Sequence, residues 1–85
     1  MSFAGFCSQL QVYLSRNGFP CSLSVEENKK TVDLINSSDA NNSFELSELD
    51  QKTYAVYSKK SQFSFTVNAN NYWTYFSGIL EFVKS

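Results

Sequence analysis

The chain predicts an α+β fold: a two-layer sandwich of helix, antiparallel meander of four or five strands, and helix, with both helices on one face of the sheet. Three observations predict it. Phe3, Phe6, Cys7, Leu10 and Leu14 recur at helical spacing. Between Cys21 and Val67, apolar and polar residues alternate in short runs separated by polar turns. From Tyr72 to Val83 the helical spacing returns, now crowded with aromatics.

The first helix is expected from about Ser2 to Asn17. Arg16-Asn17-Gly18 supplies a basic residue for the last turn and a glycine free to turn left-handed, and Pro20 cannot continue the helix. Cys21, Leu23 and Val25 then form the inward side of a strand, with Ser22, Ser24 and Glu26 outward. Glu27-Asn28-Lys29-Lys30 is a polar turn, and Val32 and Leu34 resume the inward set opposite Thr31 and Asp33. Asn36 to Ser43 is an eight-residue polar loop.

Phe44 to Gln51 fits two patterns. Phe44 and Leu46 alternate with Glu45 and Ser47 as a strand does, whereas Leu46 and Leu49 suit a helical turn capped by Ser43. A short strand followed by a turn is expected. Tyr54 and Val56 mark the next strand, with Tyr57 outward. After the Ser58-Lys59-Lys60-Ser61 turn, Phe63, Phe65 and Val67 line the inward face opposite Ser64 and Thr66. A lysine-bearing turn also resists pairing between sheet edges. Asn68 or Asn70 is the expected cap of the last helix, which runs to about Lys84.

The helix–sheet–helix order is similar to that of the double-stranded-RNA-binding fold. That module reads phosphates with basic residues at its second helix. Here the corresponding stretch is Ala69-Asn70-Asn71-Tyr72-Trp73, without Lys or Arg, so the resemblance is one of architecture.

Residues 1–85 are read as one domain, because so short a chain cannot bury two cores. Hydrophobic residues at 42% and aromatics at 16% exclude a disordered chain. Seven basic and eight acidic residues give a net charge of −1, which disfavours nucleic acid and anionic membranes as partners. No signal peptide or membrane-spanning run is expected, and an intracellular location follows. Cys7 and Cys21 are expected as buried free thiols, since a secreted disulfide scaffold of this size carries more cysteines.

Chemistry is sparse. With no histidine, the commonest general base and metal ligand is missing, along with every Ser–His or Cys–His pairing. Two cysteines cannot make a zinc tetrad, and Gly5, Gly18 and Gly78 form no phosphate loop. Neither an enzyme nor a cofactor is expected. Glu45, Glu48 and Asp50 are the nearest approach to a carboxylate cluster, read first as a solvated acidic edge.

The last helix carries more apolar surface than one core stripe needs. Tyr72, Phe76, Ile79, Leu80 and Val83 form that stripe; Tyr75 and Phe82 lie on one flank beside Gly78, and Trp73 on the other. Two readings stand. Tyr75 and Phe82 lap over the sheet edge or first helix while Gly78 relieves crowding, or the flank is an exposed patch for another protein. The functional expectation is a small protein-binding module that occupies a surface of a larger target, as inhibitors, immunity proteins and viral or mobile-element anti-defence proteins do. Its contact residues are Trp73, Tyr75, Gly78 and Phe82, with Glu45, Glu48 and Asp50 as an acidic rim. The alternatives are a homodimer or larger homo-oligomer, and a weak nucleic-acid binder using Lys29, Lys30, Lys59 and Lys60, both lysine pairs projecting from the same end of the sheet.

Overall fold

In a computed structural model, which describes residues 2–26 and 30–85, Ser2 starts the first helix: its Oγ accepts the Gly5 N–H at 3.1 Å. Helix α1 spans Phe3–Arg16. It stops at Gly18, whose φ of +87° lets the Phe19 N–H return to the Leu14 carbonyl at 2.9 Å. A side chain on Gly18 would also press on Lys84, whose Nζ lies 3.2 Å from the position of a Cβ.

Five strands follow: β1 (Cys21–Val25), β2 (Thr31–Asn36), β3 (Ser43–Asp50), β4 (Thr53–Ser58) and β5 (Ser64–Asn68). Each pairs antiparallel with its sequence neighbour, giving the order β1-β2-β3-β4-β5. A 3-10 turn over Tyr72–Tyr75 leads into α2 (Phe76–Lys84). Phe6, Leu10 and Leu14 of α1 and Tyr72, Phe76, Ile79 and Val83 of the last helical segment share one apolar cluster with Leu34, Phe44, Leu46, Val56 and Val67 of the sheet. Both helices therefore cover the same sheet face, as alternation predicts. They run parallel: Phe6 meets Tyr72 at 5.3 Å between ring centres, Tyr13 meets Phe76 at 5.4 Å, and Gly18 lies beside Lys84.

Four expectations need correction. Residues 43–50 form one strand rather than a short strand and a turn, with a bulge between Glu48 and Asp50. Leu49 falls at that bulge, 60% exposed, so its helix-like spacing from Leu46 buries nothing. Val25 and Phe63, both expected inward, are 73% and 71% exposed. They lie at corners of the sheet, where the alternation continues but the helical layer above does not.

The start of the last helix also differs. Asn68 Oδ1 accepts from the Asn70 N–H at 2.8 Å, an Asx turn, while Asn71 occupies the cap position with no side-chain capping bond. Thr74 Oγ1 donates to the Asn71 carbonyl at 2.7 Å. A β-branched residue among three aromatics gives that stretch little helix propensity, and it winds as a 3-10 turn before α2 begins. The polar loop shortens to residues 37–42, held by Asn36 Oδ1 accepting from Ser38 and Asp39 Oδ1 from Asn41. The expected 27–30 turn lies, apart from Lys30, outside the described residues. Among the described residues no helix is long and apolar enough to cross a membrane.

The register of β3 makes a sharp distinction between two leucines three positions apart. Leu46→Ala should lower stability by about 2–5 kcal/mol, and Leu49→Ala by less than about 0.5 kcal/mol, in urea titrations followed by circular dichroism. Equal losses at both positions contradict the bulged strand.

Candidate functional site

The flank of the last helix faces the sheet. A Cβ on Gly78 would lie 3.1 Å from Cζ of Phe65, so the missing side chain is the space in which the Phe65 ring sits. The Phe82 ring is 5.8 Å from Phe65 and 6.1 Å from Phe44, and Tyr75 is half-buried against the same core. The structure thus brings Gly78 and Phe82 together around Phe65. Trp73 lies edge-on to Tyr72 at 5.6 Å and remains 46% exposed.

The three carboxylates do not form one edge. Glu45 is on the outer sheet face, between Asp33 and Tyr57 on the neighbouring strands. Glu48 pairs with Tyr54 on the helix-covered face, where burial first and then the Glu48 charge push the Tyr54 hydroxyl up. Asp50 lies beyond the bulge and accepts the Lys52 N–H at 2.7 Å, closing its own turn. No group of three His, Cys, Asp or Glu able to hold a metal occurs among the described residues.

The lysines separate as well. In a meander, successive turns lie at opposite ends of the sheet. The β1–β2 turn, with Lys30, is the first and the β4–β5 turn, with Lys59 and Lys60, is the fourth; three strand lengths separate them, so they lie at opposite ends of the sheet. The expected common end is therefore corrected; Lys29 lies outside the described residues. Lys59 Nζ is 3.1 Å from Asp33 Oδ1 across the outer face. Lys60 has no acidic partner among the described residues.

That β4–β5 turn builds a site that alternation alone misses. The Ser58 N–H donates to the Phe63 carbonyl at 2.8 Å, the Gln62 N–H to the Ser58 carbonyl at 2.8 Å, and the Ser61 N–H to Ser58 Oγ at 3.2 Å. Gln62, at φ +65°, takes the left-handed conformation that closes this loop. Phe63 emerges at the wall of a cleft of about 560 Å³, with Phe44 and Phe82 on its apolar side and Asn42, Ser58, Lys60, Ser61 and Ser85 on its polar side. A smaller groove of about 380 Å³ runs along α1 past Val12, Tyr13 and Arg16 to Phe76. The signal for the cleft was an aromatic placed directly after a five-residue turn, where strand and helical layer both end.

Neither thiol is a nucleophile candidate. Cys7 and Cys21 are free and buried, as expected. Burial pushes the Cys7 thiol up to about 12 and raises that of Cys21. Because the folded value of Cys7 exceeds the unfolded 9.0, its contribution to stability is complete below pH 9.0 and is lost as pH rises toward about 12. Stability should therefore fall between about pH 9 and about pH 12, and fall less in Cys7→Ala; identical pH profiles for the two proteins contradict this assignment.

The Gly78–Phe65 contact is testable by exchanging sizes. Gly78→Leu should destabilise by about 1–3 kcal/mol, with much of the loss recovered when Phe65→Ala makes room. Simply additive losses from the two substitutions would place Phe65 elsewhere. Comparison of the chain with protein-family models, curated proteins and solved structures finds no match.

Proposed function

We propose that the protein is a non-enzymatic protein-binding module whose contact end is the cleft between Phe44, Phe63 and Phe82. The observation that carries this reading is Phe63: a phenylalanine 71% exposed at the wall of an apolar cleft. Its exposure costs the free protein apolar burial at roughly 25 cal/mol per Å², a gain available to whatever covers it. Lys60 on the rim specifies the complement. The partner presents an apolar side chain to the cleft and a carboxylate beside it for Lys60. Such a module works by occupying a surface of a larger protein, in the manner of inhibitors, immunity or anti-defence proteins.

Phe82 is shared between this cleft and the flank expected to bind. Trp73, exposed at the start of the last helical segment, is a separate candidate contact. The lack of histidine, and of a carboxylate cluster among the described residues, favours binding over catalysis. Nucleic-acid binding gains nothing from lysine turns at opposite ends of the sheet, one of whose lysines is paired with Asp33.

The test is affinity capture from the native host, repeated with variants. Phe63→Ala and Lys60→Glu should each weaken retention of the captured protein, by about tenfold or more for Phe63→Ala, while thermal unfolding stays within about 0.5 kcal/mol of the parent. A partner retained equally by both variants, or lost only in Trp73→Ala, overturns the cleft as the contact site.

A further inference from the structure

The two edge strands differ at their starts. At β1, the outward backbone of Cys21 is taken up by α1: Gln11 Nε2 donates to the Cys21 carbonyl at 2.8 Å, and the Cys21 N–H donates to Ser15 Oγ at 3.4 Å. At β5, the Phe63 carbonyl accepts from Ser58 and the Ala69 N–H donates to the Lys52 carbonyl, so the odd-numbered residues face β4. Antiparallel pairing alternates along the strand. The N–H groups of Ser64, Thr66 and Asn68 therefore point out from the edge, where no acceptor meets them among the described residues. The carbonyls of Ser64 and Thr66 point the same way; that of Asn68 accepts from the Asn71 N–H at 3.3 Å.

Nothing on the strand blunts this edge. Ser64-Phe65-Thr66-Val67-Asn68 holds no charge and no proline, two of the usual devices against edge pairing. In the turn before it, Lys59 is drawn across the outer face to Asp33 and Lys60 lies at the rim of the cleft.

We propose that β5 is a self-pairing edge that joins two copies of the chain antiparallel, about a twofold axis at Thr66, into one continuous sheet. The strand is complementary to itself in that register. Ser64 faces Asn68 of the second copy and Thr66 faces its own counterpart, all on the polar outer side. On the helix-covered side, Phe65, half-buried in the single chain, lies beside Val67 of the second copy, an aromatic–β-branched pair of the kind that stabilises sheets. The two Thr66 N–H groups meet each other's carbonyls, and each Asn68 N–H meets the Ser64 carbonyl of the second copy. A slip by one residue would set the outward groups of Thr66 against a residue whose own groups already bond β4, so that register makes no ladder. Five residues per strand make a small interface, and the dimer is weak and concentration-dependent.

This inference rests on the edge and not on the cleft. Sedimentation equilibrium over a concentration series should take the protein from monomer to dimer mass. In amide hydrogen exchange, Ser64, Thr66 and Asn68 should slow as the dimer forms, whereas Phe65 and Val67, bonded to β4 in either state, should not change. Thr66→Pro removes an outward N–H but no bond to β4 and should remain monomeric; if circular dichroism shows that it fails to fold, Thr66→Lys places two like charges across the axis and should raise the dissociation constant at least about tenfold. A parent protein monomeric at the highest concentration overturns the proposal. So does a dimer whose Thr66 amide exchanges at the monomer rate, or one that persists in the folded variant. Both substitutions leave Phe63 and Lys60 in place, so loss of pairing and loss of cleft binding are read separately.

Discussion

Phe6 is the contact on which the two layers depend. It is fully buried, and its ring lies 4.9 Å from Tyr54 of the sheet, 5.3 Å from Tyr72 of the 3-10 turn and 6.4 Å from Phe76 of α2. One side chain of α1 thus touches every other part of the sandwich. A chain this short has few apolar residues to spare, and rings that each bury about 150–250 Å² provide most of the contact at low entropic cost. The parallel setting of the helices follows from these contacts, because Phe6 must meet the start of the last helical segment while Gly18 lies by its end.

Much of this was legible in the residues. Alternation assigned the inward faces of β2 and β4 and the apolar side of α1, and the glycine stop ended α1 where expected. The errors share a cause. Alternation states which face a side chain takes, but not whether anything covers that face. Val25 and Phe63 follow the inward pattern and are exposed because the helices above end short of them. Leu49 was misleading for another reason: a bulge breaks the period of two, and sequence spacing carries no mark of it. Asn68 was correctly seen as a side chain that bonds nearby backbone, yet the turn it makes comes before the helix instead of at its cap.

The candidate site was half visible. Phe82 and Gly78 stood out because the last helix is too apolar and contains a glycine in its interior. Only the three-dimensional packing shows that Phe65 fills the notch, so that the surplus resolves into a sheet contact on one side and a cleft wall on the other. Lys60 was visible as a charge without a role. Its position beside Phe63 depends on the left-handed Gln62, a backbone conformation that a glutamine does not announce.

The bonding of Cys21 to Gln11 and Ser15 also bears on the order of events during synthesis. Cys21 lies only six residues beyond Ser15 and ten beyond Gln11, so the helix that holds the first residue of β1 is already made when the strand leaves the ribosome, and the loop to be closed is short. β5 emerges after the other four strands, with no preceding helix placed to shield its outer backbone.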